Sequence, residues 1–517
     1  MWPQPALPPR SRRHHQLGYL LAALAICSTT VAVFWAVEPR MRHWFVVPVI
    51  LCGTLMAADA LRWLRDERDL FDPVSILAIL GIHFFFVAPL LHVYWDYWMP
   101  QVVPPSDWRP WVGAMAAINA TGLCLYRFII SMGDSPRQQI RGKVWQVDRT
   151  RFITIGSLLV IFTAALQVWV YAINGGLAGY MSAVTNDGAE AFAGMGWLFV
   201  VSEAAPIIAM MVYAISSERN ALLRRPTAIV VALGVFFVLT MLCGGLRGSR
   251  SNTVWAMFWA TGIVHYRIRP LSRRTAMIGV GGLLVFMYLY GFYKNVSFEE
   301  ATRALNGSGD RQELEARTGR TTEVLLLADL ARSDVQAFEL YRLASASDEY
   351  DYGWGRTYLG DISVLVPESV WPSRPQTKVV EGTNLLFGAN SFRRGAFVAS
   401  RVYGIVGELM LNFGVLAAPL GFAILGWLVR ATDKALRRWP SFDARWLVAP
   451  VLVNFCFAVL ISDGDNLVFF AVKSLLVPSV LLLAATRRVR TALPWQRSSS
   501  NKSISHHAPM SRAGAVA

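Results

Sequence analysis

Apolar residues in this chain come in long runs broken by short polar, often basic, stretches, and the run lengths predict membrane-spanning helices. About 17 to 25 apolar residues suffice to cross a bilayer core as a helix. Twelve such runs follow one another: Leu17–Val37, Trp44–Leu61, Pro73–Trp95, Trp111–Ser131, Phe152–Asn174, Met195–Ser216, Thr227–Cys243, Thr253–Ile268, Thr275–Tyr293, Val402–Val429, Trp446–Asp463 and Asp465–Ala485. The eighth is short for a crossing and the tenth is long. The first follows Arg10, Arg12 and Arg13 as a signal peptide would. Its apolar core is long and no small-residue cleavage site follows, so it reads as an anchor.

Composition agrees. Of 517 residues, 54% are hydrophobic and only 16% charged, against roughly a quarter charged in an ordinary globular chain. The fold class expected is an all-α polytopic membrane protein with about twelve transmembrane helices. A disordered, collagen-like or disulfide-scaffold protein is excluded. Cys27, Cys52, Cys124, Cys243 and Cys456 all lie in apolar runs, spaced neither as metal ligands nor for loop disulfides.

The net charge of +15 would suggest nucleic acid in a soluble protein, but its distribution says otherwise. With the N-terminus inside, the seven expected cytoplasmic segments hold 29 Lys and Arg and the five short external loops hold 5. That is the positive-inside asymmetry, so the charge is mainly a topology signal and nucleic-acid binding is disfavoured. The layout is a cytoplasmic tail (1–16), nine spans (17–293), one large extracytoplasmic loop between spans nine and ten (294–401), three spans (402–485) and a cytoplasmic, disordered, Ser-rich tail (486–517). Both termini are expected inside. The long loop is slightly acidic, with 13 basic and 15 acidic residues.

A loop of that length in a compact body usually has a function. Within it Val324, Leu327, Ala331, Val335 and Phe338 recur at helical spacing. Thr322–Ala346 is therefore expected as an amphipathic helix, on the membrane surface or capping the bundle. Asp351–Lys378, containing GWGRTYLGD and PESVWPSRPQTK, is rich in Gly, Pro and aromatic residues and predicts fixed turns. No internal repeat is visible.

Candidate chemistry centres on arginines where the topology rule makes them scarce. Arg247 and Arg250 fall in CGGLRGSRSN, a glycine-rich hairpin at the outer boundary between spans seven and eight. A guanidinium there can grip a phosphate through two parallel hydrogen bonds; the bland alternative is a turn whose arginines reach for lipid headgroups. A second basic cluster, Arg374, Lys378, Arg393, Arg394 and Arg401, closes the loop with Glu381 as its one acid. It is expected to draw an anion or to form a solvated rim. Arg393 and Gly404 match an arginine-x10-glycine spacing. Inside the spans lie Glu203, Glu408, Asn412 and Lys473, each costly unless partnered. Either glutamate could orient an arginine or act as a base; a structural Glu408–Lys473 pair is the alternative. His83 and His92 are expected as hydrogen-bonded packing residues. The loop contains no histidine, which excludes a histidine-based mechanism there. No metal or cofactor is called for.

Three stretches together resemble the bacterial oligosaccharide repeat-unit polymerases, the Wzy-type O-antigen and exopolysaccharide polymerases. They are the GGLRGSRSN hairpin opening a helix, VPESVWPSRP, and SRVYGIVGELMLNFG with Gly404, Glu408, Asn412 and Gly414. The likeness covers roughly residues 240–430 and the plan of many spans with one large external loop.

The resemblance implies glycosyl transfer on the periplasmic face of the inner membrane, in O-antigen, exopolysaccharide or capsule synthesis. A glycan on an undecaprenyl diphosphate carrier would move onto the non-reducing end of a new lipid-linked repeat unit. The partners are the lipid-linked donor and acceptor and the bilayer, with a chain-length regulator and a flippase of the same pathway as further ones. Arg250 with Arg247 would grip the donor diphosphate. Arg374, Lys378, Arg393, Arg394, Arg401 and Asn412 would bind substrate, and Glu408 or Glu381 would take the acceptor's proton. The missing loop histidine favours polymerase over O-antigen ligase. A transporter or flippase is the alternative from another class, disfavoured by the large loop and the lack of repeats.

Overall fold

The computed structural model describes residues 13–100, 102–132, 143–186, 192, 194–247, 250–293, 319, 321–345, 350–367, 370–393 and 401–490. Before the long loop come α1 (Arg13–Val37), α2 (Val46–Leu64), α3 (Pro73–Trp95), α4 (Arg109–Ser131), strand β1 (Lys143–Val147), α5 (Arg149–Ile173) and α6 (Gly176–Asn186). They are followed by α7 (Gly196–Ser202), α8 (Ala205–Ser217), α9 (Pro226–Leu242), α10 (Arg250–Ile263) and α11 (Arg273–Tyr293). The loop contributes α12 (Ser333–Ser345), α13 (Arg356–Ser363) and α14 (Lys378–Phe387). Then come α15 (Gly404–Phe413), α16 (Ala418–Arg438), α17 (Ala449–Ile461), α18 (Gly464–Ala485) and strand β2 (Thr486–Arg490).

Among the described residues nine helical stretches are long and apolar enough to cross a membrane, so the chain is an all-α polytopic membrane protein. Five of the twelve expected spans depart: the eighth, at α10, is not among the nine, and four others differ in instructive ways. The seventh and eleventh are the shorter apolar helices α9 and α17. The tenth, expected as one helix over Val402–Val429, is broken in two. Gly414, at φ +80°, reverses the chain between α15 and α16 where a Cβ would be strained. Pro419, in the first turn of α16, then helps to start the new helix. The sixth run also breaks, into α7 and α8 at Glu203. Pro206 there has no N–H for an i−4 carbonyl.

The 22 residues of α18 span about 33 Å and separate two ends of the bundle. At one end Asp463 and Asp465 meet Lys378 of the loop. At the other, β2 pairs antiparallel with β1, Thr486 opposite Val147 and Arg490 opposite Lys143. The expected disordered tail from residue 486 therefore starts as a strand, because the TRRVR segment has an edge to pair with; residues 491–517 lie outside the described residues, as do 1–12.

The loop is part of the core rather than a cover. Ser333 through Leu340 are all buried, together with Leu343, so of the two expected placements, on the membrane surface or capping the bundle, the surface one is excluded and α12 packs into the bundle. Polar and apolar faces alike are enclosed. Val335, Phe338, Leu340 and Leu343 join Phe84, Phe85 and Met115 of α3 and α4 in the main apolar cluster. Phe338 meets Trp98 edge-on at 6.1 Å and Tyr341 meets Trp111 at 5.3 Å. Each enclosed side chain of this size contributes about 1.5–3 kcal/mol. His83 and His92 serve as packing residues, their ring nitrogens bonded to the carbonyls of Leu326 and Tyr97, each at 2.9 Å.

Candidate functional site: a charged tract at the loop end

Two groups of charges lie at the loop end of the bundle. The first is built on the short turn between α9 and α10. Gly244, at φ +125°, brings the backbone against the Glu203 carboxylate, and a single 3-10 turn (Gly245–Arg247) follows. Arg247 pairs with Glu203 and stacks 4.0 Å over the Phe199 ring. Lys473 of α18 pairs with the same glutamate and donates to Asn252 Oδ1 at 3.0 Å. Arg250 opens α10 and forks onto Asp329, with Nη2 at 2.7 Å from Oδ1 and Nη1 on Oδ2. Arg247, Arg250 and Lys473 each remain 15–19% exposed, while Glu203 is 1% exposed. Arg247 and Lys473 thus lie nearer the surface than the glutamate that holds them, while Arg250 and Asp329 are about equally exposed.

The second group is more acidic and more deeply enclosed. Lys378 of α14 is buried against Asp463 and lies 3.3 Å from Asp465. Burial opposes its charge, but Asp463 and Asp465 outweigh that and hold the ammonium above its ordinary value. Asp463 also accepts the N–H groups of Tyr403 (2.8 Å) and Gly404 (2.7 Å), tying the start of α15 to the end of α17. Glu408 accepts from Thr357 Oγ1 and the Gly464 N–H, both at 2.8 Å. Asn412 donates to Thr357 Oγ1 at 2.7 Å and accepts from the Gly355 N–H at 2.8 Å. Asp361 and Glu339 are 2% and 0% exposed, and among the described residues no donor reaches either oxygen of either carboxyl. Burial, then the Glu408 charge, pushes the Asp361 carboxyl up; burial, then Asp463 and Glu408, does the same to Glu339. A proton on Asp361 would supply the hydrogen bond to Glu408 that two ionised carboxylates cannot make.

Arg332 senses charges in both groups. Burial draws its guanidinium down from its ordinary value, opposed by the charges of Asp463, Asp334 and Asp329. Arg332 Nη1 donates to the carbonyls of Ala328 and Asp329 at 3.2 and 3.5 Å, and it acts on Asp463 through its charge rather than through an ion pair among the described residues.

The basic cluster expected at the end of the loop is not gathered in this way. Arg374 donates to the carbonyls of Ser363 and Val366 at 3.3 and 3.0 Å, and Arg401 to that of Pro100 at 2.7 Å. Lys378 is enclosed by aspartates, Arg393 is exposed, and Arg394 lies outside the described residues. A run of positive residues in sequence disperses in space because each cation satisfies its nearest acceptor. The anticipated Glu408–Lys473 pair is also replaced, by Glu203 with Lys473. Glu381 sits apart from the tract, bonded to Arg356 Nε at 3.2 Å on the wall of a cavity of about 670 Å³.

Sequence reasoning missed Asp329, Arg332, Glu339, Asp361, Asp463 and Asp465. The Asp-Gly-Asp between the eleventh and twelfth runs was the available signal, since two acids at a tight outer turn cost more than a turn requires. Among the described residues no group of His, Cys, Asp and Glu is arranged to hold a metal ion. The chain matches no protein-family model, no curated protein and no solved structure.

Proposed function

We propose that the protein extends glycan chains by polymerising undecaprenyl-diphosphate-linked oligosaccharide repeat units at the loop end of the bundle, the periplasmic face of an inner membrane. The observation that carries this reading is the fork of Arg250 on Asp329, beside Arg247 and Lys473. A carboxylate held by two parallel N–H groups has the geometry a phosphate takes on the same guanidinium. A donor diphosphate would exchange with Asp329 and meet Arg247 and Lys473 within the same turn region.

The chemistry then needs fixed cations and one base. The bond from the donor anomeric carbon to the diphosphate oxygen breaks as the acceptor hydroxyl oxygen bonds to that carbon. The hydroxyl proton passes to a carboxylate, and the diphosphate leaves with its charge held by guanidinium groups already in position. Of the two candidate bases, Glu381 faces a cavity apart from the arginine fork and Glu408 has both oxygens engaged by Thr357 and Gly464, so neither is assigned that proton. Lys378 and Asn412 support the fold of the loop against α15 and α18; Arg374 and Arg401 fix its turns.

The test is chain extension by the purified protein in proteoliposomes carrying a lipid-linked repeat unit. The wild type should give a ladder of products, and Arg250→Ala and Arg250→Lys should each fall to background, since lysine lacks the planar fork. Full polymerisation by Arg250→Ala would remove the reading. A second reading, proton-coupled movement of lipid-linked units across the membrane, is favoured by the buried carboxyls of Glu339 and Asp361 without donors. Translocation without chain extension would select it.

A further inference from the structure

The cavity beside Glu381 belongs to neither group of the charged tract. It is walled by α13, α14 and the turn between them and residue 391, and lined by Tyr350, Asp351, Arg356, Gln376, Glu381, Asn384 and their neighbours. Its 670 Å³ falls within the range of about 300–1,000 Å³ typical of small-ligand sites. Arg356 bridges it, from Glu381 Oε1 on one wall to Asp351 Oδ2 on the other, both at 3.2 Å. Side-chain exposure falls from 79% at Asp351 through 53% at Arg356 to 13% at Glu381. The charges thus run from mouth to floor.

The polar groups left over define what fits. Asn384 has its Oδ1 fixed by the Phe392 N–H at 3.1 Å, which leaves Nδ2 as a donor. Among the described residues no hydrogen bond engages that nitrogen or the side-chain amides of Gln376 and Asn390. The second oxygens of Asp351 and Glu381 are open acceptors. Asn390, at φ +61°, holds the turn at the rim. Pro375, Val380, Leu359 and the Tyr350 ring supply apolar patches between these groups, and Tyr350 is held in place by its hydroxyl on the Leu411 carbonyl at 3.0 Å. Alternating acceptors, amides and apolar faces match a ring with hydroxyl edges and C–H faces.

The charge decides against an anion. Two carboxylates face one guanidinium, and burial already pushes the Glu381 acid up from its ordinary value. A phosphate or uronate placed there would meet a net negative wall and a cation already shared. We infer that this cavity is a subsite for an uncharged saccharide of more than one ring, gripped through its hydroxyls by Asp351, Glu381, Asn384 and Arg356. The inference rests on the proposed glycan polymerisation and locates the sugar-recognising part of the substrate away from the arginine fork.

The test uses the full chain in lipid nanodiscs and saturation-transfer NMR. The probes are neutral di- and trisaccharides of glucose, galactose, mannose and N-acetylglucosamine, with a uronic-acid disaccharide and inorganic pyrophosphate as charged controls. At least one neutral probe should receive saturation. The transfer should weaken by about tenfold or more, the loss expected for a charged hydrogen bond, in Glu381→Gln, and disappear in Ala389→Trp, which fills the exposed rim. Silence from every neutral probe, persistence in both variants, or equal transfer to the uronate overturns the subsite. Pyrophosphate binding that requires Arg250 bears on the polymerase reading alone. No pyrophosphate binding by the wild type, with saccharide transfer intact, would overturn the polymerase reading and leave the cavity assignment standing.

Discussion

The two ends of the bundle both collect charge, but they settle it differently. At the end where β1 pairs with β2, the ribbon end, most described acids have an arginine at hand: Asp59 meets Arg62, Arg68 and Arg127 at 3.7, 3.3 and 3.1 Å, Arg68 meets Asp72 at 2.9 Å, and Arg437 meets Asp433 at 2.8 Å. His265 lies 3.2 Å from Asp69. Burial raises the Asp72 carboxyl, but Arg68 and the Ser75 cap outweigh it and leave it below its ordinary value. In the acidic group at the loop end, Glu339, Asp361, Glu408, Asp463 and Asp465 outnumber Lys378 and Arg332, and among the described residues two of these acids have no donor. Balanced charge reads as architecture. An unbalanced cluster costs stability that packing alone does not require, which makes the loop end the place to look for chemistry.

The largest effect should come from Lys378→Met. It strips Asp463 and Asp465 of their cation, and breaking such a buried pair costs about 3–5 kcal/mol. Thermal unfolding in detergent would show it, with partial recovery in Lys378→Met/Asp463→Asn; unchanged melting would erase the contrast. Next comes Gly414→Ala, at φ +80°, for which strain of about 1–3 kcal/mol is expected and which should loosen the α15–α16 reversal in hydrogen exchange. Asp59→Ala at the ribbon end should cost about as much, on the order of 1–3 kcal/mol, yet leave chain extension per folded molecule unchanged. Loss of extension in a folded Asp59→Ala protein would make the ribbon end functional too.

A pH-dependent effect has a sign set by protonation. Asp361 has its folded value raised above the ordinary 3.8. Over the window between those values the folded chain keeps a proton that the unfolded chain gives up. Its contribution to stability is therefore greatest below the ordinary value and declines as pH climbs through the window. Asp361→Asn removes that dependence. The variant should gain on the wild type in melting temperature as pH rises from about 5 to about 8, and a constant difference would mean that Asp361 is ionised throughout.

The long spans were legible because an apolar run of about twenty residues has few uses besides crossing a bilayer. The breaks at Glu203 and Gly414 were not, since Pro206 and Gly414 sit inside runs that stay apolar on average despite Glu203, Glu408 and Asn412. Arg247 and Arg250 stood out against the charge bias, and the structure gives both carboxylate partners. Those partners could not be read: Glu203 and Asp329 are 44 and 79 residues away from them along the chain. The loop-end cations were visible as a group only because they are close in sequence, and folding sends them to different acceptors. Nothing in α12 announced burial on all sides, which depends on what surrounds a helix rather than on its own periodicity.

The enclosure of α12 has a consequence for assembly. Its contacts with α3 and α4 join residues more than two hundred positions apart, so the Trp98 and Trp111 rings that Phe338 and Tyr341 meet lack that cover until Ser333–Ser345 has been made and delivered. Chains cut short before that segment should be recognised by membrane proteases as unfinished, and a peptide of that sequence supplied in trans is the natural means of rescuing them.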